Sequence, residues 1–451
     1  MNRKNGLSSG ILLCLAAVLA TPASATTYYI ATNGNDSHAG TSTGTAWATM
    51  AHAMNTIADG VPNTIIVLDG TYTENFKINK SGNSTTNLVI KANNPLGVTV
   101  NASGLAHGFL ITGHYIRVDG FIVHDAYDAG IDIQNTHHIH VVNCETYHNK
   151  KAGIYGGGSD YLWVEHNEVY DNAWGDYDNQ GKRIVTSGIS IHLPQNVTGN
   201  TTDTTTPRIN IRWNVVHDNY EVGNNPTDGA GIILDDLRCA ASPLPDYEFP
   251  AVVEDNLCYN NGGPGIKLFS SRNLTVRNNT CVRNGADRRD GTWRAEIAIV
   301  NCDNVDVVNN IAACDSGSFS VAYSEYGDAL ADSNRTPLGN FIQGGDTNTG
   351  DNEDIVWKNN LLYDYSNPNS IGTKKSTNQS KATSGSPDYN KINVTPGFID
   401  ATYPGYNFRL NANSNSKNAG TTSRGYESTD LDGNTRPMGT NIDIGCYERV
   451  E

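Results

Sequence analysis

The chain has 451 residues and a formal net charge of −16, from 31 basic and 47 acidic side chains. That balance excludes nucleic acid and anionic membrane surfaces as partners, and a polyanionic substrate would need a local basic group or a bound divalent cation. Seven cysteines follow Cys14, none at zinc-site spacing such as CxxC, and their odd number leaves at least one thiol without an intrachain partner.

Residues 1–25 read as a secretory signal. Arg3 and Lys4 give a positive start, residues 11–19 are an apolar run, and Ala23-Ser24-Ala25 is a small-residue cleavage site. The run is too short to span a bilayer, and no later stretch is long enough. A secreted protein, extracellular or periplasmic, is expected. Its mature charge is about −18 once Arg3 and Lys4 are removed.

Residues 26–64 hold an extended strand (Tyr28, Tyr29, Ile30), then Gly34-x-Asp36-x-x-x-Gly40, then a short helix near 47–58 that begins at Trp47. The helix is expected to cap the first coil of a solenoid, whose open apolar end must be covered.

Residues 65–400 are built on a repeat. Segments beginning at Ile116, Ile139, Leu162, Ile209, Ala251, Leu274, Val305 and Ile355 align, with a smallest spacing of 23 residues. Each opens with alternating apolar residues, as a strand does. Asn167, Asn214, Asn256, Asn279, Asn310 and Asn360 share the sixth position; Asn149, Asn172, Asn219, Asn261 and Asn284 share the eleventh. A second strand then opens with Gly-Ile, at Gly130, Gly153, Gly188, Gly231 and Gly265. Units this short bury an apolar face only by stacking, at about 4.8 Å per coil. A side-chain amide both donates and accepts, so equivalent asparagines can hydrogen-bond along the stack. An antiparallel sandwich would not fix asparagine at one offset. The pattern predicts an all-β, right-handed parallel β-helix with long loop insertions. Cys258 and Cys281 fall at one offset in adjacent coils, either as small core residues or as a disulfide.

Residues 401–451 contain Asp430, Asp432, Gly433, Arg436, Pro437, Asp443, Gly445 and Glu448 in a D-x-D-G-x-x-R-P … D-I-G-x-Y-E pattern. They read as a structural tail packed on the β-helix, with turn chemistry at Asp432-Gly433 and carboxylates for Arg436.

The GxDxxxG start, the asparagine-bearing coils and this tail together resemble the pectate-lyase-like right-handed parallel β-helix superfamily. In layout they are most similar to polysaccharide lyase family 9 and its alginate-lyase and epimerase neighbours. The resemblance implies an enzyme acting on an extracellular polysaccharide, and it implies Ca2+ on clustered aspartates. Here the aspartates are Asp228, Asp235 and Asp236. The Asn-x-Glu pattern of chondroitinase-B-like lyases and the Asp-Pro-His of mannuronan epimerases are absent.

Such enzymes bind polymers along one sheet. If the isoleucines of the Gly-Ile strands point inward, one outward row is Asp132, Tyr155, Ser190, Ile233, Lys267 and Ala298. The next outward row is Gln134, Gly157, His192, Asp235, Phe269 and Val300. His192, Asp235, Lys267, Arg294 and Glu296 then cluster on one face, beneath the insertions 173–186, 193–207, 220–227 and 237–250. Expected catalytic residues are Lys267, His192, Arg294 and Glu296; expected substrate contacts are Tyr155, Ser190, Trp174 and Phe269.

Three functions fit these residues. A lyase acting on an alginate- or pectate-type uronic polymer would use Lys267 as base, with Arg294 and burial favouring its neutral form. A glycoside hydrolase would pair Asp235 or Asp236 with Glu296. A non-catalytic carbohydrate-binding β-helix would carry aromatic platforms, and the chain has only six tryptophans. A monomer is expected.

Overall fold

The computed structural model describes residues 24–175, 186–222, 228–238, 243–287, 295–315, 323–326, 353–366 and 390–450. Most of the expected signal, Cys239 and Arg294 lie outside them. Most coils give one short strand to each of three parallel sheets. The first sheet joins eleven described strands from Thr27–Ile30 to Glu353–Lys358. The second joins eleven from Gly70–Tyr72 to Lys391–Ile392, and the third joins nine from Phe76–Ile78 to Tyr323–Tyr326. Ile139 pairs with Leu162 and Leu162 with Ile209, in the register the repeat predicts.

Both asparagine rows are continuous. The side-chain amide of Asn167 donates to Asn214 Oδ1 (3.0 Å), and the pattern runs on through Asn256, Asn279, Asn310 and Asn360 to Asn390. The second row runs from Asn149 through Asn172, Asn219 and Asn261 to Asn284. A buried amide without its partner costs about 1–3 kcal/mol, so each asparagine holds its neighbour in place. The residue ahead of each, from Asn149 to Asn360, is left-handed, whatever its type: His166 has φ 56°, Trp213 φ 55° and Asp218 φ 52°. That turn aims the next side chain inward.

The Gly-Ile glycines have a packing reason. A Cβ on Gly130, Gly188 or Gly265 would stand 2.7 Å from the amide nitrogen of the second-row asparagine in the adjoining coil.

The N-terminal strand Thr27–Ile30, read from sequence as preceding the β-helix, is the first strand of the first sheet and pairs with Thr64–Val67. The helix is shorter than expected, Met50–Thr56, and buries Met50, Ala53 and Met54. Asp36 fixes its approach by accepting from the backbone of Ala48 (2.8 Å) and Thr49 (3.1 Å), while Glu74 accepts from the first-turn N–H of Ala51 at 2.8 Å. Gly40 gives way to the Trp47 ring, which would lie 2.3 Å from a Cβ.

The tail covers the outer side of the second sheet. Phe408, Leu410, Ile444 and Tyr447 pack with Leu257, Val282, Ile311 and Leu361. Arg436, fully buried, pairs with Asp255 (2.5 Å) and Glu448 (2.9 Å). Cys258 and Cys281 are ladder neighbours, and both are free, buried thiols, which selects the core reading over the disulfide.

Candidate active-site groove

Third-sheet strands Ile131–Gln134, Ile154–Gly157, Ile189–His192, Ile232–Asp235, Ile266–Phe269 and Ile297–Val300 pair in register. Their first residues are fully buried, so the two outward rows lie as the sequence places them. His192 and Asp235 are ladder partners, with Nδ1 3.2 Å from Oδ2. Strict alternation would turn Asp236 away from them. Its left-handed backbone (φ 57°) breaks the alternation, and ligand atoms of His192, Asp235 and Asp236 lie within 4.8 Å of one another. Burial works against a charged His192 imidazole, but the hydrogen bond to Asp235 and the charges of Asp235, Asp236 and Asp228 prevail and hold its pKa above the usual value. Burial and the Asp235 charge push the Asp236 carboxyl upward.

Lys267 is 4% exposed, one coil beyond Asp235 in the adjacent row. Its Nζ lies 2.5 Å from Oδ1 of Asp228, itself 6% exposed, and 5.4 Å from the Phe269 ring centre. The backbone N–H of Asp228 donates to Glu221 at 2.8 Å, fixing the carboxylate from behind. This corrects one expectation. Asp228 does not join Asp235 and Asp236 in the close group; its carboxylate faces the lysine, and His192 stands where a third carboxylate was expected. Calcium takes six to eight oxygen ligands. Among the described residues, a donor set of one imidazole and two carboxylates does not fit the calcium site that the resemblance implies.

Glu296 is a second correction. It is fully buried and accepts from the backbone N–H (3.0 Å) and the side-chain amide (2.6 Å) of Asn284. It occupies the Gly-Ile glycine position, whose Cβ direction points toward the asparagine row and not into the groove. The next coil supplies no asparagine there, and the longer carboxylate fills the gap. The pairing of Asp235 or Asp236 with Glu296 that a hydrolase would need is therefore not formed.

Ser190 is buried in the groove wall between Tyr155 and Ile233. The Tyr155 ring lies over Gly157: a Cβ there would be 2.8 Å from Tyr155 Cε1. Burial and the charges of Asp132, Asp235 and Asp128 keep the phenol protonated by pushing its pKa upward. Trp174 stacks on His148 (5.1 Å), at the turn between the second and third sheets.

Sequence reasoning passed over the part of the groove that precedes Tyr155. Asp132 accepts from Gln134 Nε2 (2.6 Å) and lies 3.3 Å from His107, and burial raises its pKa. Lys151 pairs with Asp128 (2.9 Å) and lies 5.5 Å from the Tyr155 ring centre. Asp132 and Gln134 were visible in the outward rows. His107 lies off any strand and carried no periodic signal.

Two insertions are tied together beside the groove. Arg208, fully buried, bonds to Asp160 (3.2 Å) and to the carbonyls of Asn200 (2.7 Å) and Asp203 (2.9 Å), with its guanidinium 3.3 Å from the Phe249 ring centre. Tyr247 donates to the same Asp160 at 2.5 Å.

Residues 28–220 match the family model described as "Pel9A-like, right handed beta helix region". Among solved structures, pectate lyase Pel9A is similar over 95% of this chain and 97% of its own, with TM-score 0.51 and 20% identity. A rhamnogalacturonan lyase gives TM-score 0.47 at 14% identity, over 86% of this chain and 97% of its own. The GH136 lacto-N-biosidase from Eubacterium ramulus gives 0.46 at 12%, over 74% and 55%. At these identities the likeness is one of fold. No curated protein matches the sequence.

Proposed function

We propose that this chain, a Pel9A-like right-handed β-helix over residues 28–220, is an exported polysaccharide lyase that cleaves a uronic-acid-containing polymer of alginate or pectate type by β-elimination. The observation that carries the reading is the buried Lys267–Asp228 pair on the outward face of the third sheet. Elimination needs a base for the C5 proton of the uronate and a path for the charge that develops on its carboxylate. As base, Lys267 hands its proton to Oδ1 of Asp228, 2.5 Å from Nζ, and presents a neutral amine to the polymer. The amine then takes the C5 proton. The C5–H electron pair becomes the C4=C5 double bond, the C4–O bond breaks, and the leaving oxygen takes a proton from water. The ammonium so formed faces the developing anion.

Ser190 and Tyr155 stand two and three coils before Lys267 in one row, roughly 10 and 14 Å away by strand spacing. Phe269 flanks the lysine. Helix Met50–Thr56 serves, in the same reading, as the cap of the solenoid's open end. No described helix is long and apolar enough to cross a membrane.

The test is incubation with a panel of uronic and neutral polysaccharides, reading both the ultraviolet absorbance of unsaturated ends and the release of reducing ends. Unsaturated products that disappear in Lys267→Ala support the reading. Reducing ends without absorbance would overturn it.

A further inference from the structure

The group His192, Asp235 and Asp236 is the part of the groove whose chemistry departs furthest from its surroundings. The two half-buried aspartates are consecutive in sequence, yet the left-handed backbone of Asp236 turns both carboxylates to one side. Two carboxylates so placed repel one another, and the His192 imidazole lies against them. The 3.2 Å between His192 Nδ1 and Asp235 Oδ2 is also the edge that two ligands span around one small ion held at about 2.0–2.2 Å. The ladder pairing of the two strands sets that edge, so it requires no loop closure.

We infer that His192, Asp235 and Asp236 form a mixed nitrogen–oxygen centre that takes a first-row divalent ion of the zinc type in preference to calcium. An imidazole nitrogen is a poor ligand for calcium and a good one for zinc. The carboxylate that would have made the set all-oxygen, Asp228, is engaged by Lys267. Three ligands among the described residues fall one short of the four that an ion of this type takes. An ion there would meet a carboxylate of an acidic polymer, which answers the charge conflict between a strongly acidic protein and a polyanion. The inference rests on the lyase reading for the ion's purpose and on geometry alone for its binding.

The full-length mature protein, stripped of metal with a chelator and dialysed, is titrated calorimetrically with zinc chloride and separately with calcium chloride. Zinc is expected to bind at one equivalent per chain, at least about tenfold more tightly than calcium. His192→Ala is expected to lose that zinc binding, and His192→Asp, which restores an all-oxygen set, to favour calcium. Far-ultraviolet circular dichroism checks that each variant keeps its sheets. Equal or tighter calcium binding by the unmodified protein, no binding of either ion, or zinc binding unchanged in His192→Ala would each overturn the inference. The outcome is separable from the lyase reading, which stands or falls on unsaturated product.

Discussion

Lys267 and Asp228 meet across 39 residues of chain, Nζ to Oδ1 at 2.5 Å, with both side chains almost fully covered. Neither is near the other in sequence, and only the stacking of coils brings them together. Removing Lys267 leaves the buried Asp228 carboxylate without this counter-charge, a loss of about 3–5 kcal/mol when nothing relaxes.

If the amine removes the C5 proton, Lys267→Ala lowers kcat by at least about a hundredfold. Asp228→Asn removes the acceptor of the pair's proton and is expected to lower kcat more than it raises KM, with Asp228→Glu recovering part of the loss. Steady-state kinetics on the cleaved polymer, with thermal melts to confirm folding, check the three variants. A full-rate Lys267→Ala enzyme would remove the base from this groove.

Tyr155 is expected to act on binding. Its phenol remains protonated, so it can donate to sugar hydroxyls, and Gly157, having no Cβ, lets the ring take its place. Tyr155→Ala should raise KM severalfold with little change in kcat, as loss of uniform binding does. Gly157→Leu, which crowds the same ring, should do likewise. A fall in kcat at constant KM would place Tyr155 in the chemical step instead.

Glu296 makes stability depend on pH. Burial pushes its carboxyl from 4.5 up to about 8, so the folded chain holds this proton where the unfolded chain has released it. The contribution is complete below the unfolded value and is lost as pH rises from about 4.5 through about 8, at up to about 1.4 kcal/mol per pH unit. Glu296→Gln keeps an oxygen for Asn284 and removes the titration. Urea denaturation of both proteins across that window is expected to show a falling midpoint for the parent relative to the variant.

The tail is expected to contribute to global stability. Arg436→Ala strands Asp255 and Glu448 beneath it and should cost about 3–5 kcal/mol. Denaturant unfolding measures it, and a change under about 0.5 kcal/mol would mean that the tail docks through its apolar residues alone.

The solenoid was legible because its constraints repeat. Asn214 and Asn256 share an offset since each must reach the next, and Gly188 and Gly231 share one since an asparagine fills their Cβ space. The outward rows followed from two-residue periodicity, which placed Lys267, His192 and Asp235 correctly. Glu296 was misplaced for a reason intrinsic to the motif: five glycines at a position reveal its register and say nothing of where a side chain would point. Asp228 lies before its strand, where periodicity does not apply, and only three-dimensional packing assigns it to Lys267. The left-handed turns at His166 and Trp213 were equally hidden, because the coil geometry imposes them on residue types that seldom adopt them.

The second asparagine row has a polarity. From Asn149 to Asn284 every side-chain amide donates toward the next coil, so the amide dipoles stand in series, as peptide dipoles do along a helix. The positive end of that series emerges at Asn284, and the group placed there is the Glu296 carboxyl, an acceptor that can also carry negative charge. The solenoid thus has an electrical head and tail inside its core. A further coil spliced ahead of Asn149 extends the series without disturbing its sign, whereas one spliced between Asn284 and Glu296 must carry its own inward amide or break the circuit.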